Sequence, residues 1–172
     1  TGLSEPVAME FAPDGRLFVA ELGGTIRTIH DGTVSWMPFA HVEVFHENEN
    51  GLLGLALDPD FASNGYVYVF ATISRSEQQI IRFTDAGGLG VERTVIRDRL
   101  PTRGEFHSGG GLKVGPDRKL YFSIGDNLVA DNAQDLSTLA GKVCRINLDG
   151  STPDDNPFVT PTGQPRAIFA LG

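Results

Sequence analysis

The sequence holds a single cysteine, Cys144, among 172 residues, so no disulfide can form within the chain. It has no apolar run approaching the ~18 residues that cross a bilayer as a helix. Basic residues are few: 14 Lys and Arg against 22 Asp and Glu, a net charge of −8. An acidic chain repels phosphate backbones, which argues against nucleic acid as a partner. There is no serine elbow, no phosphate-binding glycine loop and no His-Glu-x-x-His, which removes three common catalytic plans. No signal peptide is visible, and the chain begins at Thr1 rather than methionine, as expected of a processed or excerpted chain. Apolar stripes at helical spacing are also missing. What is abundant is turn chemistry, with 21 glycines and 10 prolines. That balance predicts an all-β protein.

The sequence repeats itself. "MEFAPDGRLFVAE" (9–21), "LALDPDFASNGYVYVFA" (55–71) and "LKVGPDRKLYFSIGD" (112–126) follow one plan: a short apolar strand, a Pro-Asp turn and an aromatic-rich strand. Proline presets φ for the first turn position, and aspartate bonds its own backbone. The pairs start at Pro13, Pro59 and Pro116, spacings of 46 and 57 residues. Each unit continues into a strand with a central arginine, "TIRTI" (Arg27), "IIRF" (Arg82) and "VCRIN" (Arg145). Further strands such as "TVIRDRL" (94–100) complete a unit. Units of roughly 40–50 residues with about four strands have the size of β-propeller blades. A β-sandwich with similar turns is the alternative. The expectation is one partial propeller domain over residues 1–172, with about three antiparallel blades, ending inside the next at "AIFALG". Three blades do not close a ring, so the reading implies either a piece of a longer protein or half of an assembly, for example a homodimer.

Candidate chemistry centres on "HSGGGLKVGPDRKLYFSIGD" (107–126). With Pro116-Asp117 as the turn, His107 and Asp126 meet at one end of a hairpin. The apolar alternation prefers a register one residue off direct pairing, which makes the contact diagonal at roughly 5–8 Å between Cα atoms. A carboxylate beside one imidazole nitrogen fixes the tautomer and leaves the other nitrogen to take a proton. A hydrogen-bonded histidine at a strand end is the structural alternative. Gly109, Gly110 and Gly111 are expected to let a flat ligand approach the backbone. Glu49 and Asn50 precede the inner-strand pattern "GLLGLAL", where loops converge on a propeller axis, and Glu49 is a candidate ligand contact. Asp131, Asn132, Gln134 and Asp135 are expected to cap a short helix with "DLSTLAGK" (135–142) as its body. "NLDGSTPDDNP" (147–157) lacks the spacing of a calcium loop and reads as a turn. Cys144 reads as a buried structural thiol.

"NGLLGLALDPDFASNGYVYV", "HSGGGLKVGPDRKLYFSIGD", "LAGKVCRINLDGSTPDDNPF" and the final "IFALG" together resemble the soluble quinoprotein aldose dehydrogenases, or glucose/sorbosone dehydrogenases. The likeness runs over essentially the whole chain and about the first half of the family pattern. It implies a six-bladed propeller holding pyrroloquinoline quinone (PQQ) near its axis, with calcium. It also implies oxidation of the anomeric hydroxyl of an aldose to a lactone, with electrons passed to an external acceptor, in the periplasm or outside the cell. On this resemblance His107 is the catalytic base, Asp126 its orienting carboxylate, and Glu49 a contact in the cofactor region. The family's cations for the quinone carboxylates, and its calcium-holding carbonyls, come from elements beyond Gly172, so the 172-residue chain alone is expected to be inactive. Two other propeller functions remain open: a noncatalytic recognition propeller like the Hedgehog-interacting proteins, and a metal-dependent lactonase, whose carboxylate ligands are not evident.

Overall fold

The computed structural model describes residues 2–164 and 166–172. Its strands form three antiparallel sheets. The first sheet runs β1 (Pro6–Phe11), β2 (Leu17–Glu21), β3 (Thr25–His30) and β4 (Thr33–Val34), and a two-residue β5 (Ala40–His41) also pairs with β3. The second contains β6 (Leu52–Leu57), β7 (Tyr66–Ser74), β8 (Glu77–Ala86) and β9 (Leu89–Pro101); the third contains β10 (Leu112–Val114), β11 (Leu120–Ile124), β12 (Lys142–Ile146) and β13 (Ile168–Leu171). Each sheet is a meander in chain order, which is the blade of a β-propeller.

The repeat read from the sequence is the blade itself, with one correction: "IFALG", expected to lie inside the next blade, forms β13 and pairs with β12 as the last strand of the third. Each Pro-Asp turn joins the first strand of a blade to its second. The recurrent arginines stand on the third strands, opposite Val19, Tyr68 and Tyr121. Arg145 is the best held of them. It donates to Asp117, Asp155 and Asn156 at 2.8–3.0 Å, which ties the Pro-Asp turn of its blade to the 147–157 turn.

Packing between blades explains why the middle sheet is the most apolar. Residues Val67–Ala71 of β7 are all buried, because a blade stands on each face of the strand. Strand period sends Val67, Val69 and Ala71 into the core shared with the first blade, among Phe18, Ile26, Phe39 and Phe83. Tyr68 and Phe70 point the other way, toward Leu112, Phe122 and Cys144 of the third blade. Ion pairs also span the blades: Arg16 with Asp85 and Arg118 with Asp60 cross these two seams, and Lys113 with Glu10 joins the third blade to the first. Such pairs near the surface contribute about 0–1 kcal/mol each, so the apolar seams dominate.

The inner strands meet with little between them. A Cβ at Gly54 of β6 would lie 2.2 Å from the carbonyl oxygen of Gly110 and 2.8 Å from Cβ of Leu112. A Cβ at Gly110 would lie 2.3 Å from Cβ of Leu53. Only glycine permits this approach.

The segment 130–142 departs from expectation. In place of a helix over "DLSTLAGK" there is one 3-10 turn, Ala130–Ala133, followed by turns up to β12. Asp135 caps locally, accepting from the amide and hydroxyl of Ser137 at 2.8 Å. The neighbouring carbonyls are claimed from elsewhere: the buried Lys142 Nζ donates to the carbonyls of Asn132 and Ala140, and Gly141 N–H donates to Gly125 at 2.8 Å. A helix here would have to take those groups back.

Two consequences can be measured. Gly54→Ala should lower stability by about 1–3 kcal/mol, the usual effect of forcing a methyl into a packed seam. A denaturant midpoint equal to wild type would show that β6 and β10 do not touch there. Burial pushes the Cys144 thiol from 9.0 up to about 12. The unfolded chain then releases this proton at lower pH than the folded one, so stability should fall as pH rises from 9.0 toward 12. Cys144→Ala should flatten that alkaline slope, and an unchanged slope would assign it to another group.

Candidate active site

Three loops converge at one end of the inner strands. The loop before β6 carries Glu49, the loop between β9 and β10 carries His107, and the turn after β11 carries Asp126. The hairpin register is Leu112 to Phe122, one residue off direct pairing of His107 with Asp126, so their contact is diagonal as the alternation predicts. His107 Nδ1 lies 2.8 Å from Asp126 Oδ1. The carboxylate can only accept, so Nδ1 carries the hydrogen, and in the neutral imidazole Nε2 keeps its lone pair. The His107 side chain is 55% exposed and that of Asp126 28%, which leaves Nε2 open to a ligand.

The backbone under the pair is specialised. His107 has φ 59°, a left-handed conformation that residues with a Cβ seldom adopt. Asn127 and Leu128, just past Asp126, have φ 57° and 61°. Three such residues together mark a site held in shape against local preference. Gly125 is the reason that His107 can sit here, since a Cβ on it would fall 1.8 Å from the His107 carbonyl oxygen. Asp126 Oδ1 also accepts from the Leu128 amide at 3.0 Å, and its carbonyl accepts from Asn132 Nδ2 at 2.9 Å. The bond from His107, aided by the Leu128 amide, holds the Asp126 carboxyl below the usual carboxylate range. It therefore stays ionised to lower pH than a free carboxylate does.

Glu49 joins the same cluster. Its Oε2 accepts from the backbone amide of His107 at 2.8 Å, across the seam between the second and third blades. The exposed side chain keeps Oε1 without a protein partner among the described residues. The three glycines after Ser108 are in part required by the fold, while Gly109 and Gly111 are exposed and Gly110 and Gly111 line a hollow, which leaves the expected approach of a ligand open. Gly109 (φ 78°) would clash with the Ser123 carbonyl, and Gly110 (φ 109°) with Leu53, so both serve the fold. Gly111 alone faces space, with only Ser123 Oγ near, at 3.0 Å. The role of Gly125, and that of Asn132 as a brace for Asp126, escaped the sequence reading. The "Gly-Asp" pair after a strand was the available signal for the first.

A shallow groove beside the pair is lined by His107, Gly125, Asp126, Lys142 and Val143. A second, apolar hollow runs along the inner strands past Met9, Leu53 and Gly111 without including His107 or Asp126. The chemistry belongs with the first. An imidazole locked by a carboxylate, with one free nitrogen at an exposed mouth, is equipped to take a proton from a hydroxyl.

Known proteins share the sequence pattern and the fold. The Glucose / Sorbosone dehydrogenase family matches residues 3–172. Quinoprotein glucose dehydrogenase B of Acinetobacter calcoaceticus is 33% identical over 100% of this chain and 42% of its own length. An oxidoreductase (glucose dehydrogenase) from Thermus thermophilus superposes with a TM-score of 0.91 at 38% identity, covering 99% of this chain and 53% of that one. The PQQ-bound aldose sugar dehydrogenase of Streptomyces coelicolor superposes with a TM-score of 0.84 at 32% identity, covering 96% and 50%. Human Hedgehog-interacting protein is 31% identical over the whole chain but only 29% of its own length. The chain thus spans about half the length of the dehydrogenases it matches. With the family's pattern running from residue 3 to the last, and its blades superposing on those of solved sugar dehydrogenases, the chain belongs to the glucose/sorbosone dehydrogenase family.

Proposed function

We propose that this chain supplies the proton-transfer side of the active site of a PQQ-dependent sugar dehydrogenase. The observation that carries the reading is the 2.8 Å bond from His107 Nδ1 to Asp126, which reserves Nε2 for substrate. The substrate is an aldose presenting its anomeric hydroxyl. His107 Nε2 takes the hydroxyl proton while the hydrogen on the same carbon leaves with its electron pair, and the carbon–oxygen double bond of a lactone forms. PQQ, when bound, supplies the two-electron acceptor, and an external acceptor then takes the electrons. Asp126 holds the ring in orientation and offsets the charge of the imidazolium. Glu49 fixes the His107 backbone with one oxygen and keeps the other free at an exposed position, which supports a place at the cofactor side.

The residues present fit one side of the quinone better than the other. Nε2 suits the reacting face. The quinone's own carboxylates need cations, and near His107 the Lys142 amine is already bonded to two carbonyls while Arg75 pairs with Glu47. We therefore assign no described residue to those carboxylates. Among the described residues no group of three or more His, Cys, Asp or Glu is placed to hold a metal ion, and calcium is given no ligands here. The family resemblance supports a periplasmic or secreted setting; among the described residues no helix is long and apolar enough to cross a membrane.

A recognition propeller fits less well. A docking surface gains nothing from a ring locked by a carboxylate over a backbone in a disfavoured conformation.

The decisive experiment uses the full-length protein carrying this sequence, loaded with PQQ and calcium. His107→Ala should lower aldose-dependent dye reduction by roughly 10²–10⁴-fold while the quinone remains bound. Near-normal turnover would make His107 a structural residue. Acid titration tests the pair separately. The folded Asp126 carboxyl lies below its ordinary value of 3.8, so the pair's contribution to stability is complete above 3.8 and lost as pH falls through the depressed value. Asp126→Asn should be less stable than wild type at neutral pH, with the gap closing below 3.8. A gap independent of pH would mean that the carboxylate is not bonded to the ring.

A further inference from the structure

The loop that carries His107 rests on buried polar side chains of the neighbouring blade. Asn50, two residues before β6, is fully buried. Its Nδ2 donates to the Glu47 carbonyl at 2.9 Å within its own loop and to the Glu105 carbonyl at 3.0 Å across the seam. Its Oδ1 accepts from the Ser108 hydroxyl at 2.8 Å. Gln78 of β8, also fully buried, donates to the Ser108 carbonyl at 3.2 Å. Glu105 and Ser108 stand on either side of His107, so one amide holds the loop both before and after the left-handed residue. A single neighbour with this reach does more than fill space. Three of its polar contacts fall on two loops, and none falls on a strand ladder.

We propose that Asn50 is a positioning residue, acting through Glu105 and Ser108 to hold the His107 imidazole against Asp126 with Nε2 at the mouth of the site. This rests on His107 being the proton acceptor described above. The ring has no buried wall to define its place, being more than half exposed. Its position is set by the backbone below, and that backbone is set from the second blade, by Glu49 on the His107 amide and Asn50 on the flanking residues. Loss of Asn50 leaves the Glu105 carbonyl and the Ser108 hydroxyl without their partner, and the loop then relaxes away from the φ 59° at His107.

The test compares Asn50→Ala and Ser108→Ala in the full-length protein, with Asn156→Ala as control. Asn156 is buried and bridges the carbonyls of Arg145 and Arg166, far from His107 in the chain, so it reports destabilisation without the loop. The first measurement is the pair of imidazole nitrogen shifts of His107 in labelled protein. The expected result is that both loop variants lose the fixed Nδ1–H tautomer and that Asn156→Ala keeps it. The second is steady-state kinetics, where kcat should fall about tenfold or more with little change in KM, as for a reacting group moved by a fraction of an ångström. Should Asn50→Ala fail to fold, Ser108→Ala removes one hydroxyl and decides the matter by the same shifts. Wild-type shifts and wild-type kcat in a folded loop variant, whatever its melting temperature, would overturn the proposal. The nitrogen shifts need neither sugar nor acceptor, so they decide the role of Asn50 even if aldose oxidation is not found.

Discussion

The approach of β6 to β10, glycine against backbone at Gly54 and Gly110, is the constraint on which the rest of the structure depends. With no side chain between them, the inner strands of the second and third blades come close enough for the loops above to touch. The apolar seam below, Tyr68 and Phe70 against Leu112 and Phe122, supplies the burial that keeps them there. Widening of that seam by one methyl would move Glu49 and Asn50 away from the His107 loop together. The fold and the candidate site are therefore joined through two residues that have no functional group at all.

The parts legible in the sequence were those written in short-range chemistry. Pro13-Asp14, Pro59-Asp60 and Pro116-Asp117 announce turns through φ and side-chain bonding, and the alternation around them announces strands. Because the third turn is tight, its hairpin register follows, and with it the meeting of His107 and Asp126. The helix expected over 135–142 failed for a long-range reason. Of its expected cap residues only Asp135 bonds locally, Asn132 and Gln134 reach instead to Asp126 and Gly172, and Lys142 and the Gly141–Gly125 bond draw the backbone groups into the blade. The packing role of the glycine run was hidden for a similar reason, since Gly109 and Gly110 answer to Ser123 and Leu53, neither of which is adjacent in the chain. Asn50 gave no local sign of its reach to Ser108. Only the docking of two blades brings residues 58 apart into contact.

Left-handed backbone at residues with side chains occurs across the blades, at Glu5, Asp31, Glu92, Arg99 and Arg118 among others, and three such positions, His107, Asn127 and Leu128, lie together at the site. Such positions persist only where surrounding bonds outnumber the preference against them. Here the bonds come from Glu49, from the Leu128 amide to the Asp126 carboxylate, and from the Asn127 amide to the carbonyl of His107. The polar residues around the pair thus serve shape as well as charge.

The two kinds of contact at His107 differ in how far apart they lie along the chain. The bond to Asp126 spans 19 residues inside one hairpin, whereas those linking Glu49 to His107 and Asn50 to Ser108 span 58 and cross blades. Contacts of low sequence separation form first during folding, because less chain entropy is lost in closing them. The histidine and aspartate accordingly come together as the third blade forms, in a loop still free to wander. The contacts with the second blade remove that freedom. Blade docking and preparation of the site are therefore coupled: the hairpin brings the two residues near each other, and the bonds from the second blade fix them in place.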